Sequence, residues 1–521
     1  MPIPRAGQQK GPSAKESHCL TIFSSRSESN GAASRRPDSC QGCRWRAGSL
    51  QSWLIMPENS QPWIVPGYLE IRDGHLMIDG ADAVSIAEQY GTPLYVFSER
   101  RIAENISALR NRIEPIHPRI KLCYAAKANS NMSVLRAVLM AGGDIEVNSG
   151  GELFKAKKIG FRPDQIVFNG VSKTDQEIRD AIEYGVLAIN VDSLYELDQV
   201  ARCARAARRQ ANIAVRVVPE IITGSHIGLQ TGLLSSKFGI SPALLSEVLD
   251  RALASSDVLR LVGLHIHIGS QTPDVQPFAL AFAEMWRLAL ELYKQRGHRI
   301  HHMNMGGGLP VNYLPDPSAA LQIDPQQRAI LSARLDPAEV MRAAIKRVMP
   351  LEPEGQQLFD GLTIILEPGR SIIADAGLLL TRVCNIKVRP ETADTWLLTD
   401  AGYSLMPSMA IYKWYYHLVS ASRAADPHTA PYKVAGPLCD SGDVYFDLEG
   451  GSRLPDYRLL PEGTSVGDLL ALLNAGAYTL DQASQYNGRP RPAAVIVKRN
   501  GEVALARRRE NYQDLISMDS W

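Results

Sequence analysis

Ile120-Lys121-Leu122-Cys123-Tyr124-Ala125-Ala126-Lys127-Ala128-Asn129 is a short apolar run that ends on a lysine. It reads as a buried strand delivering one amine to its carboxyl end. Working outward, seven more runs of this kind follow, at residues 144–147, 165–168, 187–191, 213–217, 261–268, 302–305 and 363–366. Amphipathic stretches separate them, such as residues 152–159 after the second run, 175–184 after the third and 193–207 after the fourth. Eight strand–helix alternations at this pitch predict a (β/α)8 barrel, in an α/β plus β chain. A doubly wound open sheet needs a G-x-G-x-x-G turn after its first strand, and none is present.

A barrel places functional groups just past the carboxyl ends of its strands, on one face. Lys127 stands there after the first run, and Ser149-Gly150-Gly151-Glu152 after the second. Asn169-Gly170, Asp192 and Arg216 mark the next three, and His267-Ile268-Gly269-Ser270 closes the sixth. Gly306, Gly307 and Gly308 close the seventh, and Glu367-Pro368-Gly369-Arg370 the eighth.

The flanks differ from the barrel. Residues 1–55 are rich in Ser, Arg and Gly and poor in acids, and lack periodicity, so disorder is expected. They read as a mis-called upstream start with Met56 as first residue, a transit peptide or a functional tail. Their lone Cys40-Gln41-Gly42-Cys43 is weak evidence for zinc or redox chemistry, and no metal site is expected. Residues 56–92 contain a strand-like stretch at 63–79, expected to join a β domain. The barrel is expected over 93–370. Residues 371–521 alternate short strand-like runs with Gly, Pro and Asp turns, which predicts a mostly antiparallel C-terminal β domain.

Composition is that of an ordinary globular protein, 45% hydrophobic, with 56 Lys+Arg against 55 Asp+Glu. Nothing in it calls for a nucleic-acid or membrane partner. Seven cysteines in 521 residues do not make a disulfide framework. Cys123, Cys203 and Cys384 read as buried reduced thiols, and a cytoplasmic location follows as an expectation.

Several strand-end groups carry recognisable chemistry. A lysine at a strand end is usually solvated, but one that follows an apolar strand is partly desolvated, which favours bonding to a carbonyl carbon. Three consecutive glycines let backbone amides approach an anion, and the Ser270 hydroxyl and Arg370 guanidinium can add to that. Glu367 is a carboxylate able to hold a proton on a ring nitrogen, and each pKa unit of that is worth about 1.4 kcal/mol. His267 offers a ring face for stacking; its bland alternative is a core histidine beside His265. Cys439-Asp440, in a Gly/Pro/Ser loop, pairs a thiol proton donor with a carboxylate. Tyr478 is a further candidate for ring or phosphate contact. Together these groups suit pyridoxal phosphate used as an electron sink.

The ordered set Tyr124-Ala-Ala-Lys-Ala-Asn, Ser149-Gly-Gly-Glu-Leu, Ser236-Lys-Phe-Gly, His265-Ile-His-Ile-Gly-Ser-Gln, Asn304-Met-Gly-Gly-Gly, Glu367-Pro-Gly-Arg, Cys439-Asp-Ser-Gly-Asp and Ala475-Gly-Ala-Tyr resembles the fold-type III pyridoxal-phosphate decarboxylases, in particular those of the diaminopimelate decarboxylase type. It spans roughly residues 65–515. The resemblance implies an alanine-racemase-like barrel, and an amino-acid α-decarboxylase of lysine biosynthesis. It implies that Lys127 bonds the cofactor, His267 stacks on it, Ser270 with Gly306, Gly307 and Gly308 holds its phosphate, and Glu367 pairs with its ring nitrogen. Arg370, Tyr412, Asp440 and Tyr478 would contact the substrate, Tyr478 also the cofactor, and Cys439 would protonate the product carbon. The Cys439-Asp440 loop would come from a partner chain, so the resemblance implies a homodimer with shared active sites.

Two positions depart from the pattern. Ser408 stands where those enzymes usually carry an arginine, and Asp440 where they usually carry a glutamate. These departures favour, as alternatives, a D-ornithine/D-lysine decarboxylase or a decarboxylase of siderophore precursors. A catalytically dead regulatory relative would be expected to have lost Lys127, Glu367 or Cys439, and all are present.

Overall fold

The computed structural model describes residues 61–316 and 321–521. The expectations for residues 1–55, Met56, Cys40 and Cys43 lie outside the described residues. Eight parallel strands close into a barrel: Ile120–Ala125, Asp144–Val147, Ile166–Phe168, Ala188–Val191, Ala211–Arg216, Leu259–His265, His302–Asn304 and Thr363–Leu366. The ring shuts where the last strand meets the first, with Ile364 opposite Ile120 and Leu366 opposite Leu122. The expected fold holds, and every strand run read from the sequence overlaps an observed strand.

Local chemistry sets the helix boundaries between strands. Ser149, Thr174 and Ser193 each accept a hydrogen bond from the backbone N–H three residues on, at Glu152, Glu177 and Glu196, and so start three successive helices. Two of these helices, Gly150–Ile159 and Asp175–Tyr184, stop at Gly160 and Gly185 in the left-handed conformation that only glycine adopts cheaply.

Side-chain alternation along the strands explains how a site arises inside this core. Ile145 and Val147, Ile189 and Val191, Val215 and Val217, Leu264 and Ile266, and Met303 and Met305 all pack into the main hydrophobic core. The residues between them point to the opposite face, into the barrel. These are Glu146, Asn190, Arg216, His265 and Asn304. The barrel interior is therefore polar near its carboxyl end, while Cys123, Val167 and Ile365 form a small apolar cluster with Leu187.

The second sheet runs in the order Arg458–Pro461, His428–Ala435, Asp394–Thr399, Gly377–Arg389, Leu94–Ser98, Ala493–Val497, Val503–Arg507. Leu469–Leu472 also pairs with Gly377–Arg389, and Leu418–Ser420 pairs with Leu469–Leu472. It is antiparallel except at two parallel pairs, Asp394–Thr399 with His428–Ala435 and Leu94–Ser98 with Ala493–Val497.

Two expectations, on residues 94–98 and on Cys384, need correction, while the stretch at 63–79 forms a sheet of its own against the β domain. The stretch at 63–79 does not enter the large sheet. Leu69–Arg72, His75–Ile78 and Ala81–Asp82 form a three-stranded sheet of their own. With the preceding Trp63 and Tyr68, this sheet packs Leu76 and Ile78 against Val419, Ala471 and Val495. It is tied there by Leu76 N–H to the Ala421 carbonyl at 2.9 Å and Ala424 N–H to the Gly74 carbonyl at 2.7 Å. The strand that does enter is Leu94–Ser98, buried along its whole length between two neighbours, although it falls within the span expected for the barrel. Cys384 is exposed, not buried. Its strand, Gly377–Arg389, is buried only over its first half, and Cys384 falls where it leaves the core.

Candidate active site

A cavity of about 340 Å³ opens at the carboxyl end of the barrel, and its lining includes Lys127, Glu367, His267, Ser270, Arg370 and Tyr478. Tyr412 and Ser408 close it from the β-domain side. Lys127 sits on a single 3-10 turn, Ala126–Ala128, immediately after the first barrel strand. The Ala475-Gly476-Ala477-Tyr478 loop is stitched to this turn. Tyr478 N–H donates to the Ala128 carbonyl at 2.7 Å, and Asn129 Nδ2 donates to the Gly476 carbonyl at 3.1 Å. A side chain at Gly476 would meet the Ile373 carbonyl oxygen at 1.8 Å, so only glycine lets the loop dock.

Glu367 is buried at the end of the eighth strand. Asn304 Nδ2 donates to its Oε1 at 2.7 Å, and Asn169 Nδ2 lies 3.0 and 3.1 Å from its two oxygens. His265 Nε2 stands 3.5 Å from Oε2. Burial alone would raise the Glu367 pKa, but His265 and the Lys127 ammonium outweigh it and hold the carboxyl well below its ordinary value. Glu367 is therefore a fixed negative charge in the cavity at neutral pH.

His267 is neutral, because burial and then Lys127 and Arg216 push its pKa well below the ordinary histidine value. Its Nδ1 accepts from Gly307 N–H at 3.1 Å, which leaves the ring proton on Nε2. The glycine loop is packed so closely that no larger residue fits. An added Cβ would lie 2.6 Å from His267 Nδ1 at Gly306, 2.4 Å from the Glu367 carbonyl oxygen at Gly307, and 2.6 Å from the Gly269 carbonyl oxygen at Gly308. Gly306 and Gly308 also have positive φ, 65° and 108°. Gly306 N–H donates to Asn304 Oδ1 at 2.9 Å and Gly307 N–H to His267, so two of the three amides are committed within the protein. Gly308 and the Ser270 hydroxyl are left to face an anion, and both line a smaller cavity that also contains Lys127, Glu367 and Arg370.

Arg370 is buried with no carboxylate in hydrogen-bonding or ion-pair contact among the described residues. Its Nη1 donates to Tyr313 Oη at 3.0 Å, its Nε has no partner, and the guanidinium carbon lies 4.5 Å from the Trp414 ring centroid and 4.8 Å from that of Tyr478. A desolvated cation left without an acidic partner implies that a ligand brings the anion.

Sequence reasoning found most of these groups but gave no role to Glu146 or Asn304. The signal was an acid or amide flanked by apolar residues within a strand, as in Ile145-Glu146-Val147 and Met303-Asn304-Met305. Cys439 and Asp440 are not brought to the cavity. They lie on an exposed loop, where Cys439 N–H donates to Asn487 Oδ1 at 2.7 Å. The Asp440 carboxylate accepts from Tyr403 Oη at 2.9 Å and Tyr486 Oη at 3.3 Å.

The donor set fits pyridoxal phosphate: an amine for its aldehyde carbon, a permanent carboxylate for a ring nitrogen, a neutral imidazole, and a side-chain-free loop beside an unpaired arginine. A parallel barrel with these groups at its carboxyl end defines a pyridoxal-phosphate enzyme of the barrel type. The family described as pyridoxal-dependent decarboxylase, pyridoxal binding domain, matches residues 99–374, and the chain belongs to it. Its start coincides with the first helix after the β-domain strand, Glu99–Ile113. The chain is similar to the diaminopimelate decarboxylase of Methanocaldococcus jannaschii, 36% identical over 457 residues, covering 87% of this chain and 96% of that protein. It is 32% identical over 452 residues to that of Bacillus subtilis, covering 86% and 96%. The crystal structure of the M. jannaschii enzyme in co-complex with L-lysine superposes with a TM-score of 0.76 at 34% identity, covering 87% of this chain and 98% of that one. The chain is a pyridoxal-phosphate-dependent decarboxylase.

The glycine loop gives a first prediction. Gly307→Ala forces a methyl group against the Glu367 backbone, which cannot swing aside as a side chain would. We expect about 1–3 kcal/mol of destabilisation and loss of bound cofactor. Denaturant unfolding and the visible absorbance of the purified variant measure both.

Proposed function

We propose that this enzyme decarboxylates meso-2,6-diaminopimelate at an α carbon to give L-lysine and carbon dioxide. The observation that carries the decarboxylase chemistry is that Lys127 and Glu367 line one cavity. The diaminopimelate decarboxylases named above, similar to this chain over nearly their whole length, support the substrate.

Bound pyridoxal phosphate supplies the electron sink for the pair left when the bond between the α carbon and its carboxylate breaks. Lys127 would bond the cofactor and give way to the substrate amine. Glu367 keeps a proton at the ring nitrogen, which favours decarboxylation over chemistry needing a neutral ring. His267 would pack against the ring and, being neutral, would add no competing positive charge. Ser270 and the Gly306, Gly307 and Gly308 loop hold the phosphate. Arg370 binds an anion, and with Tyr412 and Tyr478 it orients the substrate.

The α carbon still needs a proton. Cys439 is too exposed to serve the cavity of its own chain, so we assign the Cys439-Asp440 loop to a second copy, in a homodimer with shared sites. Cys439 donates the proton, and Asp440 contacts the substrate amine. The working partners are the amino acid and this second copy, with neither nucleic acid nor membrane involved, and the compartment is the cytoplasm. No helix among the described residues is long and apolar enough to cross a membrane.

Ser408 favours a second reading. It is buried and lines the cavity beside Tyr412, where it offers a hydroxyl and no charge to a distal carboxylate. D-ornithine, D-lysine or a siderophore precursor would be accommodated there. Product analysis after offering meso-diaminopimelate, D-ornithine, D-lysine and L-ornithine separates the two. L-lysine as the dominant product supports diaminopimelate; turnover confined to the shorter or D-configured diamines overturns it.

A further inference from the structure

The mechanism above gives no work to Glu146, although it is among the most buried acids of the chain. Its Oε2 lies 3.6 Å from Lys127 Nζ and has no hydrogen-bond partner among the described residues. Its Oε1 accepts from Asn169 Nδ2 at 2.7 Å, and the same Nδ2 lies 3.0 Å from Glu367 Oε1. One amide therefore bridges two interior carboxylates. They are not equivalent: Glu367 also receives Asn304 at 2.7 Å, whereas one oxygen of Glu146 is bare. Two negative charges sharing a donor in a buried site resist ionising together, and the one with fewer donors takes up a proton first.

We propose that Glu146 is the counter-ion of Lys127 and a positioning residue for the reaction: ionised, it holds the free amine as an ammonium, and once neutral it releases the amine to bond an aldehyde carbon. This rests on the reading of Lys127 as the cofactor-bonding residue. In the release step the Nζ–H bond breaks and the proton forms a bond to Glu146 Oε2, leaving the nitrogen pair free. Attack on the aldehyde then forms the C–N bond and expels the carbonyl oxygen as water.

The charged and titratable groups facing Glu146 agree with this. Lys127 stands after the first strand, with Cys123 within that strand; Glu152 is on the following helix, Arg216 on the fifth strand, and Glu367 at the end of the eighth. Burial, with Glu367 and Glu152, pushes the Glu146 carboxyl up to about 7 against the pull of Lys127. For Lys127, burial works to lower the pKa, and the Glu146 carboxylate is the leading influence that raises it. Removing that carboxylate leaves burial to favour the neutral amine.

The test uses the full-length chain stripped of cofactor. Pyridoxal phosphate is added across a pH series, the products are fixed with borohydride, and capture at residue 127 is read by peptide mass. Wild type should show a rise with a shoulder near pH 7, where the pair loses its first proton, and a second rise at high pH. In Glu146→Gln the shoulder should vanish and the main rise move down by about one pH unit or more, making capture at pH 7 about tenfold faster. Glu146→Asp should return the profile toward wild type. An unchanged profile in Glu146→Gln overturns the proposal. If that variant does not fold, the wild-type profile decides, and a single rise without a shoulder overturns it. Wild type that captures nothing at residue 127 overturns the reading of Lys127 itself, which distinguishes the two failures.

Discussion

Lys127→Ala should purify folded and lose on the order of 10⁴-fold in turnover, with no cofactor fixed by borohydride. The lysine projects into a cavity and makes no hydrogen bond that holds the fold, so its truncation removes chemistry and little packing. The wild type should be yellow, and its colour should survive dialysis. The variant should bind pyridoxal phosphate only reversibly, through the phosphate loop and Glu367. Added primary amines should restore part of the activity by taking over the exchange with the substrate amine. Turnover within tenfold of wild type would show that another amine anchors the cofactor and would end this account of the site.

Glu367→Gln is the second large effect, with an expected fall in kcat of about 10²–10³-fold and little change in KM. The amide keeps the shape of the side chain but not the charge that we propose would hold a proton on the ring nitrogen. It also turns an NH2 group toward Asn169 or Asn304, each of which already presents a donor there. The same variant reports on stability. The folded pKa of Glu367 lies below its unfolded value, so its contribution is complete above the ordinary carboxylate pKa of about 4.3 and is lost as pH falls toward the folded value. Wild type should therefore lose more stability than Glu367→Gln between about pH 6 and pH 3, as thermal melts across that range would show. Equal slopes would mean that Glu367 is not held ionised by its neighbours.

The same residues show how much of the fold and site is legible in the sequence. Strand runs were legible because an apolar stretch bounded by turn residues has few other uses, and the eight of them with their intervening helices imply a barrel. Strand-end groups such as Lys127, His267 and Glu367 were legible because a parallel barrel gathers such ends on one face. The strand Leu94–Ser98 was misassigned because a run buried on both faces carries no mark of which sheet buries it. Cys384 was misread because its apolar neighbours continue along a strand that has already left the core. Glu146 was overlooked because a lone acid in a short strand resembles a solvated one until the curvature of the barrel turns it inward.

The sequence by itself determined the class of fold, the amine, the carboxylate and the glycine loop, since each depends on residue type at a strand end. Only the tertiary structure decided which polar groups meet. Asn169 bridges Glu146 and Glu367, two of the three loop amides are spent within the protein, Arg370 stands without an acid among the described residues, and the Cys439 loop lies outside its own cavity. The closed barrel brings Asn169 and Glu367, 198 positions apart, within hydrogen-bonding distance, and no local pattern in the chain encodes that distance.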